Sequence, residues 1–255
     1  MKRREFLKFI SSFISLTIFS GWSKSWTKLV EDESSLPLRN LGKTGFKVTI
    51  LGFGAAQIGG GTKTNAFQTL EIAIEEGINY FDTASTYGES ETRIGEFFRK
   101  DNLKDILITT KILTRTKKEA TEEILTSLKR LRLEVIDIVH LHSVNNLSTL
   151  RKIASPDGAL EACVELKKKG YLKFIGITNH NNPQVLKEAM EIYPFANVLI
   201  PTGIGDKILG SYEDLIAYLR EKGSGVVGMK VFGAGRYKGK LDFEKCLRYC
   251  LGVNV

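Results

Sequence analysis

From Pro37 onward, short apolar runs of β type alternate with stretches whose apolar residues recur every three or four positions. The first two runs, Leu38–Leu41 and Lys47–Thr49, are joined through Gly42-Lys43-Thr44-Gly45 and predict a hairpin. Strands are expected next near Leu51–Ala55, Asn79–Asp82, Ile106–Lys111, Ile136–Leu141, Phe174–Thr178, Asn197–Ile200 and Val226–Val231. Helical patterns lie between them. Asn65–Glu76 places Leu70, Ala73 and Ile74 on one side, Glu91–Arg99 does so with Ile94, Phe97 and Phe98, and Lys118–Leu131 with Ile124, Leu125, Leu128 and Leu131. Gly158–Lys169, Pro183–Met190, Tyr212–Lys222 and Asp242–Cys250 complete the set. Pro183 suits the first turn of its helix, and Gly77, Gly170 and Gly223 suit helix exits.

Strand alternating with helix argues for parallel β/α units. The strand centres recur about every 29 residues, the spacing of a TIM-type (β/α)8 barrel of ~250 residues. On that period the eighth strand falls due at about residue 257, whereas the sequence has 255 residues. The expected fold is therefore an α/β barrel of TIM type lacking its eighth β/α unit. An open doubly wound sheet is the competing architecture. No GxGxxG follows the first strand, where Gly52-Phe53-Gly54 is only a short echo, so the barrel is preferred.

Charge changes the picture at one end only. The formal net charge is +8, but residues 1–28 hold Lys2, Arg3, Arg4, Lys8, Lys24 and Lys28 against Glu5. That leaves too small an excess elsewhere to argue for a nucleic-acid partner. Positive charge followed by the short apolar run Phe9–Phe19 has the logic of an export signal. The Arg3-Arg4-Glu5-Phe6-Leu7-Lys8 string resembles the twin-arginine signal. Residues 1–28 are thus expected to be a signal or membrane anchor, 29–36 a linker and 37–255 the barrel. The expected location is periplasmic or membrane-associated, or cytoplasmic if the signal is not used. The cysteines Cys163, Cys246 and Cys250 form neither a disulfide framework nor a zinc spacing.

Side chains at the C-terminal ends of barrel strands converge on one pocket. The polar residues expected there are Asp82, Lys111, His142, Thr178 and Asn179, with Tyr87 five residues past Asp82. A phenol is a poor acid at neutral pH unless an ammonium stabilises its phenolate, and a carboxylate keeps that ammonium charged. Such a set can protonate an oxyanion forming at a reduced carbonyl. None of these side chains is a hydride source, so a reduced nicotinamide is implied. His140 and His142 share a strand face, as two metal ligands would, but no third ligand is evident and no metal is expected. His140 reads as an inward-facing core or rim residue, and His180 as a loop residue.

Asn79-Tyr80-Phe81-Asp82-Thr83-Ala84-Ser85-Thr86-Tyr87-Gly88 resembles the F-D-T-A-x-x-Y-G signature of aldo-keto reductases. Thr110-Lys111, Ile136-Asp137-Ile138-Val139-His140-Leu141-His142, Gly176-Ile177-Thr178-Asn179 and Gly228-Met229-Lys230-Val231-Phe232-Gly233 resemble the family's later blocks in the same order. The resemblance implies an NADPH-dependent reductase of aldehydes and ketones, NADH not excluded, acting on a small-molecule carbonyl substrate. It implies Tyr87 as general acid, Lys111 and Asp82 as its tuning pair, and His142 as substrate orienter. Thr178 and Asn179 would hold the nicotinamide carboxamide. Lys230, Val231, Phe232 and Gly233 would approach the pyrophosphate, and Gly54, Ala55 and Asp82 would flank the cofactor. Leu199 stands where the family carries a glutamine. Family members continue from a stretch like Leu247-Arg248-Tyr249-Cys250-Leu251 into an eighth strand and a basic segment that grips the adenosine 2′-phosphate. The resemblance therefore implies weakened NADPH binding for the sequence as it stands. The alternatives are a catalytically impaired truncated reductase, or a non-catalytic binding or assembly subunit that self-associates through an open barrel edge.

Overall fold

The computed structural model describes residues 36–98, 105–203, 212–235 and 242–252. The expected export signal, and the linker as far as residue 35, lie outside the described residues. Among the described residues no helix is long and apolar enough to cross a membrane.

Strands β1 (Leu38–Asn40) and β2 (Lys47–Thr49) form the expected antiparallel hairpin, with Arg39 opposite Val48. Seven strands then build one parallel sheet in chain order. They are β3 (Phe53–Gly54), β4 (Tyr80–Asp82), β5 (Leu107–Ile112), β6 (Ile136–Leu141), β7 (Leu172–Thr178), β8 (Asn197–Pro201) and β9 (Gly225–Met229). Among the described residues β3 and β9 each pair with one neighbour. The helices are α1 (Lys63–Glu75), α2 (Ser90–Phe97), α3 (Lys117–Leu131), α4 (Leu147–Ile153), α5 (Ala159–Lys168), α6 (Pro183–Ile192), α7 (Tyr212–Glu221) and α8 (Phe243–Gly252). This is the expected barrel-type α/β architecture, curled around seven parallel strands.

Local chemistry sets the helix boundaries. Thr116 caps α3 by accepting from the Glu119 amide, and its hydroxyl donates to the Glu119 carboxylate at 2.7 Å. Asn182 caps α6, and Pro183 opens it where no amide is needed. Gly77, Gly170 and Gly223 all take positive φ just beyond α1, α5 and α7.

Three elements depart from expectation. Helix α4 is only two turns long, too short for its Leu147, Leu150 and Ile153 spacing to stand out as a period. Strand β3 shrinks to two residues. Strand β9 ends at Met229 rather than Val231, because Lys230 turns into the left-handed region at φ 58°.

Alternate strand residues point to opposite faces. Outward, Ile108, Ile112, Val139, Leu141, Ile175, Ile177, Val198 and Ile200 pack with Leu70, Ile94, Ile124, Leu166 and Leu186 of the helices. Each fully buried aliphatic side chain there contributes about 1.5–3 kcal/mol. Inward, at the N-terminal end, Leu41 and Val48 of the hairpin region close the barrel floor against Tyr80, Leu107, Ile138 and Phe174. Above that apolar plug the inward face turns polar. His140 Nε2 lies 2.6 Å from Asn197 Oδ1, Asn197 donates to the Gly225 carbonyl, and His140 Nδ1 lies 3.3 Å from the Thr110 carbonyl. Gly176 is needed beside this ring, because a Cβ there would stand 2.3 Å from His140 Cδ2. Burial pushes His140 down to about 4, so it is a neutral core residue, as expected.

Candidate active site

The C-terminal ends of β4, β5 and β6 bring four of the expected residues together. The parallel register sets Asp82 beside Thr109, and Lys111 beside His140. Lys111 points inward and is 1% exposed. Its ammonium donates to Asp82 Oδ2 at 2.6 Å and to the Thr83 carbonyl at 2.6 Å. Asp82 Oδ1 accepts from Thr109 Oγ1 at 2.8 Å. A buried ammonium must be paired or neutralised, and here a carboxylate and a carbonyl hold it.

Tyr87 sits in the turn between β4 and α2. Its amide donates to the Ala84 carbonyl, its carbonyl accepts from Ser90, and Gly88 follows at φ 54°. The turn is pressed against the loop after β3, where Gly59 passes so close that a Cβ would stand 1.7 Å from the Tyr87 oxygen. Arg93 fixes that loop by donating to the carbonyls of Ile58, Gly60 and Gly61. Lys111 Nζ lies 4.8 Å from the centre of the Tyr87 ring.

His142 follows β6 directly. Its amide donates to the Ile112 carbonyl, and its ring stands 6.1 Å from that of Tyr87 at 83°. Burial, then the charge of Lys111, pushes it down to about 4, so the imidazole is neutral at pH 7. Nδ1 is buried and has no hydrogen-bond partner among the described residues. Arg115 steadies this segment by donating to the His142 carbonyl at 2.6 Å. Glu123 of α3 accepts from Ser85, from the Leu113 amide and from Thr114, tying the loops after β4 and β5 together. Burial pushes its carboxyl up, but these hydrogen bonds outweigh that and hold it below its ordinary value.

The expected cofactor residues are more scattered. Gly54 lies beside Asp82 in the register, with open space where a side chain would be. Ala55 is fully buried and donates its amide to the Asp82 carbonyl. Thr178 and Asn179 close β7, but their side chains have work inside the fold. Thr178 Oγ1 accepts from the Ser143 amide at 2.8 Å. Asn179 donates to the Val144 carbonyl and accepts from the amides of Asn181 and Asn182. Lys230, Val231, Phe232 and Gly233 form the turn after β9, where Phe232 is exposed and packs edge-on against Phe243. Leu199 is 2% exposed and, two residues from Asn197, faces inward.

His180 is more than a loop residue. Its ring lies 6.2 Å from that of His142, and it joins Lys230 to Ser143. Nothing local in the sequence signals this, since Ser143, His180 and Lys230 belong to three separate strand ends. Among the described residues no group of three His, Cys, Asp or Glu side chains could hold a metal ion.

A profile described as the aldo/keto reductase family matches residues 50–248. The chain is 30% identical over 229 residues to L-galactose dehydrogenase of Arabidopsis thaliana, covering 79% of this chain and 67% of that one. It is 27% identical to an aldo-keto reductase of Strobilurus tenacellus, covering 82% and 66% respectively. It spans about three fifths to two thirds of the length of the curated relatives it matches. Among solved structures it is similar to the holo form of an aldo-keto reductase of Bacillus halodurans, with TM-score 0.69 and 28% identity over 84% of this chain and 76% of that one.

Proposed function

The chain belongs to the aldo/keto reductase family, and on that premise we propose that it reduces aldehydes or ketones to alcohols, with Tyr87 as the proton donor. The observation that carries this reading is the buried Lys111 ammonium, clamped by Asp82 and the Thr83 carbonyl and set 4.8 Å from the Tyr87 ring.

In this mechanism the neutral His142 donates a hydrogen bond from Nε2 to the substrate carbonyl oxygen and polarises the bond. With Nδ1 buried and unpartnered among the described residues, Nε2 is the ring nitrogen left for that contact. When bound, a reduced nicotinamide supplies the hydride, two electrons with one hydrogen, to the carbonyl carbon. Tyr87 gives its phenolic proton to the carbonyl oxygen as the C–O π pair becomes an O–H bond. The Lys111 ammonium stabilises the phenolate left behind, and water restores its proton. Positioned proton transfer of this kind is worth ~10²–10⁴ in rate.

The residues present fit such a cofactor. The open space over Gly54 beside Asp82 leaves room for a flat ring. Thr178 and Asn179 stand at the β7 end, where the Asn179 amide spends one hydrogen on the Val144 carbonyl and has a second to offer a carboxamide. The Lys230 ammonium and the turn through Gly233, at φ 73°, suit a pyrophosphate. Leu199 offers no amide to the nicotinamide. NADPH is the proposed form, with NADH not excluded, and the substrate is a small carbonyl compound. L-galactose dehydrogenase among the relatives favours a hydroxylated one. The twin-arginine-like start supports an exported protein, which cell fractionation of an Arg3→Lys/Arg4→Lys variant tests.

The direct test is an NADPH titration of the full chain by intrinsic fluorescence, with turnover of a generic aldehyde, for the wild type and Tyr87→Phe. The expected result is saturable binding by both proteins and turnover by the wild type only. A folded wild type that binds no nicotinamide, or a Tyr87→Phe variant that turns over at full rate, overturns the reading.

A further inference from the structure

Three strand ends at the site are tied by one hydrogen-bond chain. Lys230, just past β9, lies 3.0 Å from His180 Nδ1. His180, just past β7, places Nε2 at 3.1 Å from Ser143 Oγ. Ser143 follows His142 at the end of β6.

The proton inventory gives this chain a direction. An ammonium can only donate, so His180 Nδ1 accepts from Lys230. Burial, then the nearby Lys230 charge, pushes His180 down to about 4, so the ring is neutral at pH 7. A neutral imidazole carries one hydrogen, and with Nδ1 accepting, that hydrogen is on Nε2. His180 therefore donates to Ser143 Oγ. The serine keeps its own hydroxyl hydrogen, and no described residue accepts it.

Two backbone features mark the arrangement as more than a casual contact. Ser143 at φ 56° and Lys230 at φ 58° both occupy the left-handed region, which non-glycine residues adopt only when their surroundings hold them there. Ser143 is held by the hydrogen bond its amide donates to Thr178 Oγ1. The side chains of Thr178 and Asn179 are meanwhile engaged inside the fold.

We propose that Ser143 is a further ligand-positioning residue of this site, its hydroxyl oriented by Lys230 through His180 to donate a hydrogen bond to an oxygen of the bound ligand. That oxygen is either the carboxamide oxygen of the nicotinamide or a substrate hydroxyl beside the reacting carbonyl. The proposal rests on the reductase reading. Losing one such hydrogen bond weakens binding about threefold to tenfold.

The experiment uses the full chain with NADPH, glyceraldehyde and propanal, two aldehydes that differ by two hydroxyls. Ser143→Ala is expected to stay folded, with a small fall in melting temperature because His180 Nε2 loses its acceptor. If the partner is the cofactor, the NADPH Kd rises and both aldehydes suffer alike. If it is the substrate, the NADPH Kd holds and kcat/KM falls for glyceraldehyde alone. Either result supports the donor role and names its partner. Lys230→Met frees His180 to accept from Ser143, so adding Ser143→Ala to that background should cost less than a further twofold. A Ser143→Ala variant unchanged in Kd and in both kcat/KM values overturns the proposal. So does a cost that is the same in both backgrounds, or a nitrogen-15 NMR spectrum placing the His180 hydrogen on Nδ1. Failure of the wild type to bind NADPH would instead count against the reductase reading, leaving the His180 tautomer to decide the direction of the chain.

Discussion

Replacing Lys111 with methionine separates stability from chemistry at this site. The Lys111 side chain is 2% exposed and that of Asp82 16% exposed, and they meet at 2.6 Å. Breaking a buried pair by removing one partner costs about 3–5 kcal/mol. Asp82 keeps its hydrogen bond from Thr109 and some access to water, so the lower end, about 3 kcal/mol, is expected. With an m-value of about 5 kcal/mol/M in guanidinium chloride, the unfolding midpoint should fall by about 0.6 M. Turnover of an aldehyde should fall by at least ~10²-fold, because the phenolate of Tyr87 loses the cation that stabilises it. The double variant Asp82→Asn/Lys111→Met removes both charges and so removes the uncompensated one. It should regain at least about 1 kcal/mol over the single variant while staying inactive. Denaturant melts and initial rates on the same three proteins provide the check. A Lys111→Met protein within about 0.5 kcal/mol of wild type, with a double variant no more stable, would refute the pairing argument. Unimpaired turnover would refute the assigned chemistry independently.

The remaining expectations concern the frame around the site. His140, His142 and His180 are each pushed down to about 4, against an unfolded value of about 6.5. Between those values the unfolded chain binds more protons, so stability rises with pH through the window, is flat above it and falls on acidification. For the wholly buried His140 this amounts to about 2 kcal/mol between pH 7 and pH 5, and a midpoint that does not move over that range would contradict it. Gly59→Ala drives a Cβ to within 1.7 Å of the Tyr87 backbone carbonyl oxygen. Backbone must move on one side or the other, so kcat should drop at least ~10-fold with little change in NADPH Kd; an unchanged kcat would show that Tyr87 is not held by this contact. Gly176→Ala meets the His140 ring at 2.3 Å and should cost about 1–3 kcal/mol by overpacking. Adding His140→Ala should recover part of that loss, as read from denaturant midpoints.

The sequence by itself determined the alternation of strands and helices, because apolar period is a local property of each segment. It also determined that Asp82, Lys111 and His142 close successive strands, since parallel β/α units put every such end on the same rim. Tyr87 was legible through its motif, being in a loop without a period of its own. What the sequence left undecided was every contact made across the barrel. Helix α4 was too short to show a repeat. The premature end of β9 depended on Lys230 adopting a left-handed backbone that no local residue type demanded. The polar layer of His140 and Asn197, and the chain from Lys230 through His180 to Ser143, join residues 37 to 57 positions apart. Such pairs meet because the register of a parallel sheet and the curl of its strands bring them together. The crossover helices that separate parallel strands in the chain carry no record of which inward side chains will face each other. Tertiary structure alone settled those contacts.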